Sequence, residues 1–202
     1  MIVFPSDHFV VKEEPFIAAV GRAVAEVQHF SRQLVLLGAQ PDQAEGDYGW
    51  IEPARQESSR ESRSVLRFVE KPSRAHACEL MARGALWNTF VFAAQATTLW
   101  AMVRRTAPDL ADAFERLCHV LSLCSSYAPS FTEDAYERIR AVNFSSGVCE
   151  PLVSWLRVFP LPDVGWSDWG TAERILASLQ HVGKLDTCLA RLRHDTEGDS
   201  PL

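Results

Sequence analysis

The sequence predicts an α/β fold, a mostly parallel sheet flanked by helices. Two observations carry the prediction. Short apolar runs of strand length alternate with longer segments whose apolar residues recur at helical spacing. The length, 202 residues with 47% hydrophobic and 23% charged side chains, gives one domain with a sizeable core.

The elements follow in order. Residues 1–5 form a short buried strand. Glu14 and Pro15 open a helix, Pro fitting a first turn, and Phe16, Ile17, Val20, Val24 and Val27 follow at helical spacing. Residues 34–37 form a second buried strand, ended by Gly38, and 38–50 are a loop rich in Gly, Asp and Pro. Residues 51–63 are polar and give an exposed connection or hairpin tip. A strand over 65–69 is stopped by Pro72. Ser73 caps a helix running to Ala82, with Gly84 near its end. A strand covers 87–93, and helices cover 97–105 and 109–123. A loop spans 125–130. A helix over 132–140 carries Glu133 and Asp134 in its first turn, which suits the dipole. Asn143 leads into a short helical turn, 155–160 is a strand, and Thr171 caps a helix to Gln180. The domain is placed at 1–193, with 194–202 a polar, disordered tail. No internal repeat is visible.

Composition excludes several function classes. A net charge of −6 argues against broad capture of nucleic acid. No run of 18 apolar residues exists, so no membrane helix is expected. The N-terminus lacks a basic region and a signal-like apolar core, and the five cysteines are odd in number with no C-x-x-C pair. A reduced, cytoplasmic setting is the expectation. Zinc on Cys118, His119 and Cys124 is disfavoured, because Val120, Leu121 and Leu123 mark a helix interior. No G-x-S-x-G elbow points to covalent catalysis.

Five short runs carry the chemistry. Phe68-Val69-Glu70-Lys71-Pro72 and Leu86-Trp87-Asn88 place a carboxylate, an ammonium and an amide beside strands. That is equipment for a sugar hydroxyl next to a phosphate. Neighbouring strand residues point to opposite faces, so Glu70 and Lys71 share a site only if the strand ends or bulges there. The alternative is an exposed charged pair. Asn88 sits in an apolar run where its amide needs a partner, and backbone groups in a turn would also satisfy it. Tyr48-Gly49-Trp50-Ile51-Glu52 offers a glycine for close backbone approach, or an ordinary turn. Pro5-Ser6-Asp7-His8 puts Asp7 at a strand end, where α/β folds bind ligands; an Asp in a turn is the alternative, and His8 is read as structural. Gly165-Trp166-Ser167-Asp168-Trp169-Gly170 brackets Asp168 with indoles, and Asp163 is close enough to be confused with it.

In order and spacing these runs resemble the sugar-1-phosphate nucleotidyltransferases, closest to the mannose-1-phosphate guanylyltransferases, over residues 2–184. The resemblance implies a nucleotide-diphospho-sugar transferase (Rossmann-like) fold, here N-terminally truncated. The family's opening G-G-x-G-x-R loop and following Pro-Lys are missing, and only ten glycines occur. It implies Asp7 and Asp168 as Mg²⁺ ligands and Lys71 on the sugar phosphate, the three together forming the catalytic set. It also implies Glu70 and Asn88 on the sugar, with the Gly49 backbone against it. Asp47 stands where the family has a glycine, and Thr89-Phe90 where it has Ser-Gly. Ser145, Ser146 and Gly147 replace a usual acid, so no role passes to 143–151. The implied reaction joins mannose-1-phosphate to GTP, giving GDP-mannose and pyrophosphate. Sugar and base rest on kinship alone. The implied partners are a sugar-1-phosphate and a nucleoside triphosphate, with no nucleic acid or membrane, and either a homo-oligomer or a complementary N-terminal segment. The competing expectation is a catalytically inactive sugar-phosphate-binding or regulatory relic.

Overall fold

The computed structural model describes residues 1–55, 61–123, 133, 136, 137 and 139–197. Its centre is β2 (Leu34–Ala39), six residues that are all buried. Side chains alternate across a strand, so β2 feeds two cores at once. Leu34 and Leu36 join Met102, Val148, Leu152 and Val158 on one face. Val35 and Leu37 join Ala19, Val20, Ala23 and Val27 of α1 (Glu13–His29) on the other. Burying each such leucine contributes about 2 kcal/mol.

The other strands are β1 (Ile2–Val3), β3 (Gly49–Pro53), β4 (Arg63–Glu70), β5 (Leu86–Ala93) and β6 (Leu156–Pro160). The order is β1-β5-β2-β6-β4-β3, with β3 also pairing β5. The α/β class is as predicted, but the sheet is mixed rather than mostly parallel. Among the described strands only β2 and β6 pair in parallel. β5 runs antiparallel to β1, β2 and β3, and β4 runs antiparallel to β3 and β6. For β3 and β4 the reason is local: no described helix lies between them, and a parallel neighbour needs a crossover.

Helices α2 (Arg74–Ala82), α3 (Ala96–Thr106), α4 (Pro108–Leu123), α5 (Ala172–His181) and α6 (Leu185–Glu197) complete the layers. Both anticipated caps form: Ser73 Oγ accepts from His76 N at 3.3 Å, and Thr171 Oγ1 from Arg174 N at 3.3 Å. The polar connection expected from residue 51 begins instead with β3, where Trp50 and Ile51 are fully buried. Two apolar residues between Gly49 and Glu52 are too few to show a period. The turn after Phe144 is π-helical at Ser145–Cys149 and 3₁₀ at Glu150–Trp155. α6 continues to Glu197, beyond the predicted start of the tail, while the 125–130 loop, most of the 132–140 helix and residues 198–202 lie outside the described residues. No described helix is long and apolar enough to cross a membrane.

Candidate functional site

β3, β4 and β5 bring three of the predicted residues to one point. Gly49 is the register partner of Glu70 across β3 and β4. A Cβ on Gly49 would lie 2.8 Å from Glu70 Oε2 and 3.5 Å from Asn88 Nδ2, so carboxylate and amide converge on the space the glycine leaves. Asn88 does both of the things open to it: its Oδ1 accepts from Phe90 N at 3.1 Å, and its Nδ2 faces the Gly49–Glu70 gap. Phe90 is held at φ 58°, a left-handed backbone in place of a glycine.

β4 ends at Glu70, and Lys71 takes φ 48°. The strand breaks where it must for neighbouring side chains to serve one site. Lys71 N donates to Tyr48 O at 3.2 Å, which ties the turn to the residue before Gly49. Left-handed non-glycine residues cost roughly 1–3 kcal/mol and gather at functional sites. Trp169, beside Asp168, is a third at φ 50°.

Behind Glu70 lies an acid that the sequence reading passed over. Glu150 Oε1 accepts from Glu70 N at 2.7 Å. Burial raises the Glu70 pKa above its ordinary value; Ser145 and Lys71 oppose the rise and Glu150 adds to it. Burial, with Glu70 and Glu150 beside it, also pushes the Cys149 thiol up to about 12.

Asp7 and Asp168 are carried by two segments held side by side. Phe9 and Ser167 exchange both backbone hydrogen bonds, at 2.8 and 2.9 Å, pinning the Asp7 turn to the Gly165–Gly170 segment. His8 sits between the two acids: its Nε2 is 3.9 Å from Asp7 Oδ1, and its Nδ1 accepts from Trp166 Nε1 at 3.2 Å. Desolvation lowers the His8 pKa although Asp7 and Asp168 both pull it up. Asp163, the neighbour in sequence, pairs with Lys12 at 3.1 Å in the open, and only Asp168 faces the site.

Asp168 is also held by Tyr48 and Gly170, both within the quoted motifs, and by Arg174, which no motif flagged. Tyr48 Oη donates to Asp168 Oδ1 at 3.0 Å, Gly170 N to the same oxygen at 3.2 Å, and Arg174 Nη1 to Oδ2 at 2.9 Å. Arg174 covers the Tyr48 ring at 4.4 Å and reaches Glu45 at 3.3 Å and Asp47 at 3.7 Å. Desolvation and Asp168 raise the Tyr48 pKa well above the usual phenol range. The available signal was charge in the wrong place: an arginine in the first turn of a helix opposes the dipole and needs an outside partner.

Tyr48 joins the two points, its carbonyl on the Lys71 turn and its hydroxyl on Asp168. A carboxylate, an amide and a lysine thus stand beside a pair of acids. Residues 1–184 match the family described as Nucleotidyl transferase.

The chain belongs to the nucleotidyl transferase family.

This nucleotidyl transferase chain is 30% identical over 185 residues to the xanthan biosynthesis protein XanB of Xanthomonas campestris pv. campestris (strain B100), covering 91% of the chain and 38% of XanB. It is 28% identical over 202 residues to the mannose-1-phosphate guanylyltransferase of Escherichia coli (strain K12), covering 98% of the chain and 41% of that protein. Among solved structures, the mannose-1-phosphate geranyltransferase of Thermus thermophilus superposes with a TM-score of 0.74 at 28% identity, over 88% of the chain and 49% of its own length. The chain therefore spans about two fifths of the length of the curated relatives it matches.

Asp7 and Asp168 are the hard carboxylates here that could hold Mg²⁺, which takes one or two protein oxygens and completes its shell with phosphates and water. Among the described residues no set of three or more His, Cys, Asp or Glu could hold a metal alone.

Proposed function

We propose that this chain supplies the sugar-phosphate side of a nucleotidyltransferase that joins mannose-1-phosphate to GTP, giving GDP-mannose and pyrophosphate. The observation that carries the reading is the convergence of Glu70 Oε2 and Asn88 Nδ2 on the gap left by Gly49, with Lys71 turned out of the strand beside them. Mannose and guanosine come from the relatives' names.

Glu70 accepts from sugar hydroxyls and Asn88 both donates and accepts, which fixes the ring. Lys71 meets the sugar phosphate as a point charge. That phosphate attacks the α-phosphorus in line, and pyrophosphate leaves. A phosphate monoester has its second pKa near 6, so it is largely dianionic at neutral pH and no side chain needs to take a proton from it. The protein's contribution is orientation and charge balance. Asp7 and Asp168 would hold Mg²⁺, whose charge would neutralise the nucleotide phosphates.

A second reading, a sugar-phosphate-binding module without transfer, is favoured by Asp168, whose charge Arg174 already balances. A complementary segment is the partner best supported, since edge strand β1 leaves Met1, Ile2 and Phe4 about half exposed. The test is pyrophosphate release from GTP, mannose-1-phosphate and Mg²⁺, with Asp168→Ala as control. Release that the substitution abolishes supports transfer. No release from folded protein that binds mannose-1-phosphate supports the module.

A further inference from the structure

Arg174 lies in the first turn of α5, where the helix dipole disfavours a cation. Its side chain is nevertheless only 18% exposed. Nη1 donates to both Asp168 oxygens, at 3.2 and 2.9 Å, while Nη2 lies 3.3 Å from Glu45 Oε2 and 3.7 Å from Asp47 Oδ2. Asp168 Oδ1 takes two further donors, Tyr48 Oη and Gly170 N. A carboxylate offers about four lone-pair sites; three protein donors crowd Oδ1 of Asp168, and Arg174 Nη1 covers Oδ2. Asp7 differs: its side chain is 69% exposed, with His8 Nε2 3.9 Å away.

We propose that Arg174 is a built-in competitor for a divalent cation at Asp168, and that the guanidinium must leave Asp168 before a metal binds there. The inference rests on the reading of Asp7 and Asp168 as a cation site. A metal on Asp168 would sit within a few ångströms of the guanidinium, and like charges that close repel strongly in a half-buried site. Glu45 and Asp47 already touch Nη2, so Arg174 can give up Asp168 and stay paired with them. That makes two arrangements of one side chain, one closed on Asp168 and one open to a cation. Without Arg174, Glu45, Asp47 and Asp168 would lose the guanidinium they share.

The experiment uses Mn²⁺ as the probe, with free ion read by electron paramagnetic resonance and binding at the site read by quenching of Trp166 and Trp169. Wild type, Arg174→Gln, Arg174→Lys and the double variant Arg174→Gln/Asp168→Asn are compared, each checked by its unfolding midpoint. Removing one nearby like charge is expected to tighten Mn²⁺ binding by about tenfold or more in Arg174→Gln. Asp168→Asn should erase that gain. Arg174→Lys keeps the charge without the two-oxygen contact and should give a smaller gain; it carries the test if Arg174→Gln does not fold. Equal affinity in wild type and the Arg174 variants overturns the inference and leaves the two-acid cation site standing. No binding in any variant overturns both. A gain that survives Asp168→Asn places the ion elsewhere and overturns the inference alone.

Discussion

Gly49 and Glu70 face each other across β3 and β4, and a methyl group on Gly49 would come 2.8 Å from the Glu70 carboxylate. Real Cβ atoms do not approach so closely, so Gly49→Ala must displace Glu70 from the point where it meets Asn88. The expected result is weaker mannose-1-phosphate binding at little cost in stability, because the atom displaced is the end of a flexible side chain. Calorimetric titration and denaturant unfolding read the two effects separately.

Lys71 separates stability from function. Its left-handed backbone carries a strain that glycine would not. Lys71→Gly is expected to leave the melting temperature level or higher while weakening sugar-phosphate binding. Lys71→Ala, which keeps the Cβ, should weaken binding equally without the gain in stability. A loss of melting temperature in Lys71→Gly larger than in Lys71→Ala would show that φ 48° is not a strained position.

Glu70 sets a pH dependence with a definite sign. Burial raises its folded pKa above the ordinary 4.5, so the folded chain binds this proton more tightly than the unfolded chain does. The associated stability is complete below pH 4.5 and is lost as pH rises through the folded value. Glu70→Gln should therefore flatten the fall in stability over that window. Unfolding midpoints taken from about pH 4 to 8 on both proteins test it, and parallel curves would refute it.

Thiol chemistry should sort the cysteines. Cys149 is buried, with its thiol pushed up to about 12, while Cys78 and Cys118 are exposed. A maleimide at about pH 7 should label Cys78 and Cys118 in the native protein and spare Cys149 until denaturant is added. Native labelling of Cys149 would mean that the π-helical turn opens readily.

The sequence showed the parts of this fold that depend on local pattern. Long periodic helices, the Ser73 and Thr171 caps and the buried run at β2 were legible because each is written within a few residues. β3 was not, since its burial comes from pairing with both β4 and β5 rather than from a period of its own. The antiparallel run of β5 was equally hidden, because strand direction depends on how distant segments dock. At the site, Gly49, Glu70, Lys71, Asn88, Asp7 and Asp168 stood out as chemistry beside strand ends. Arg174, Glu45 and Glu150 did not, because each matters through a partner far away in the chain, and Glu150 lies just past the serines that drew notice.

His8 and Trp166 share a hydrogen bond across 158 positions of sequence. Closing so long a loop is entropically costly and slow compared with making a hairpin such as β3–β4. Early in folding, β3 and β4 can therefore pair while the Asp7 turn and the Gly165–Gly170 segment are still apart. Asp7 would wait alone until the Gly165–Gly170 segment has been synthesised and docked. A nascent chain would thus pair the strands around Gly49 and Glu70 well before the Asp7 turn can be pinned to the Gly165–Gly170 segment.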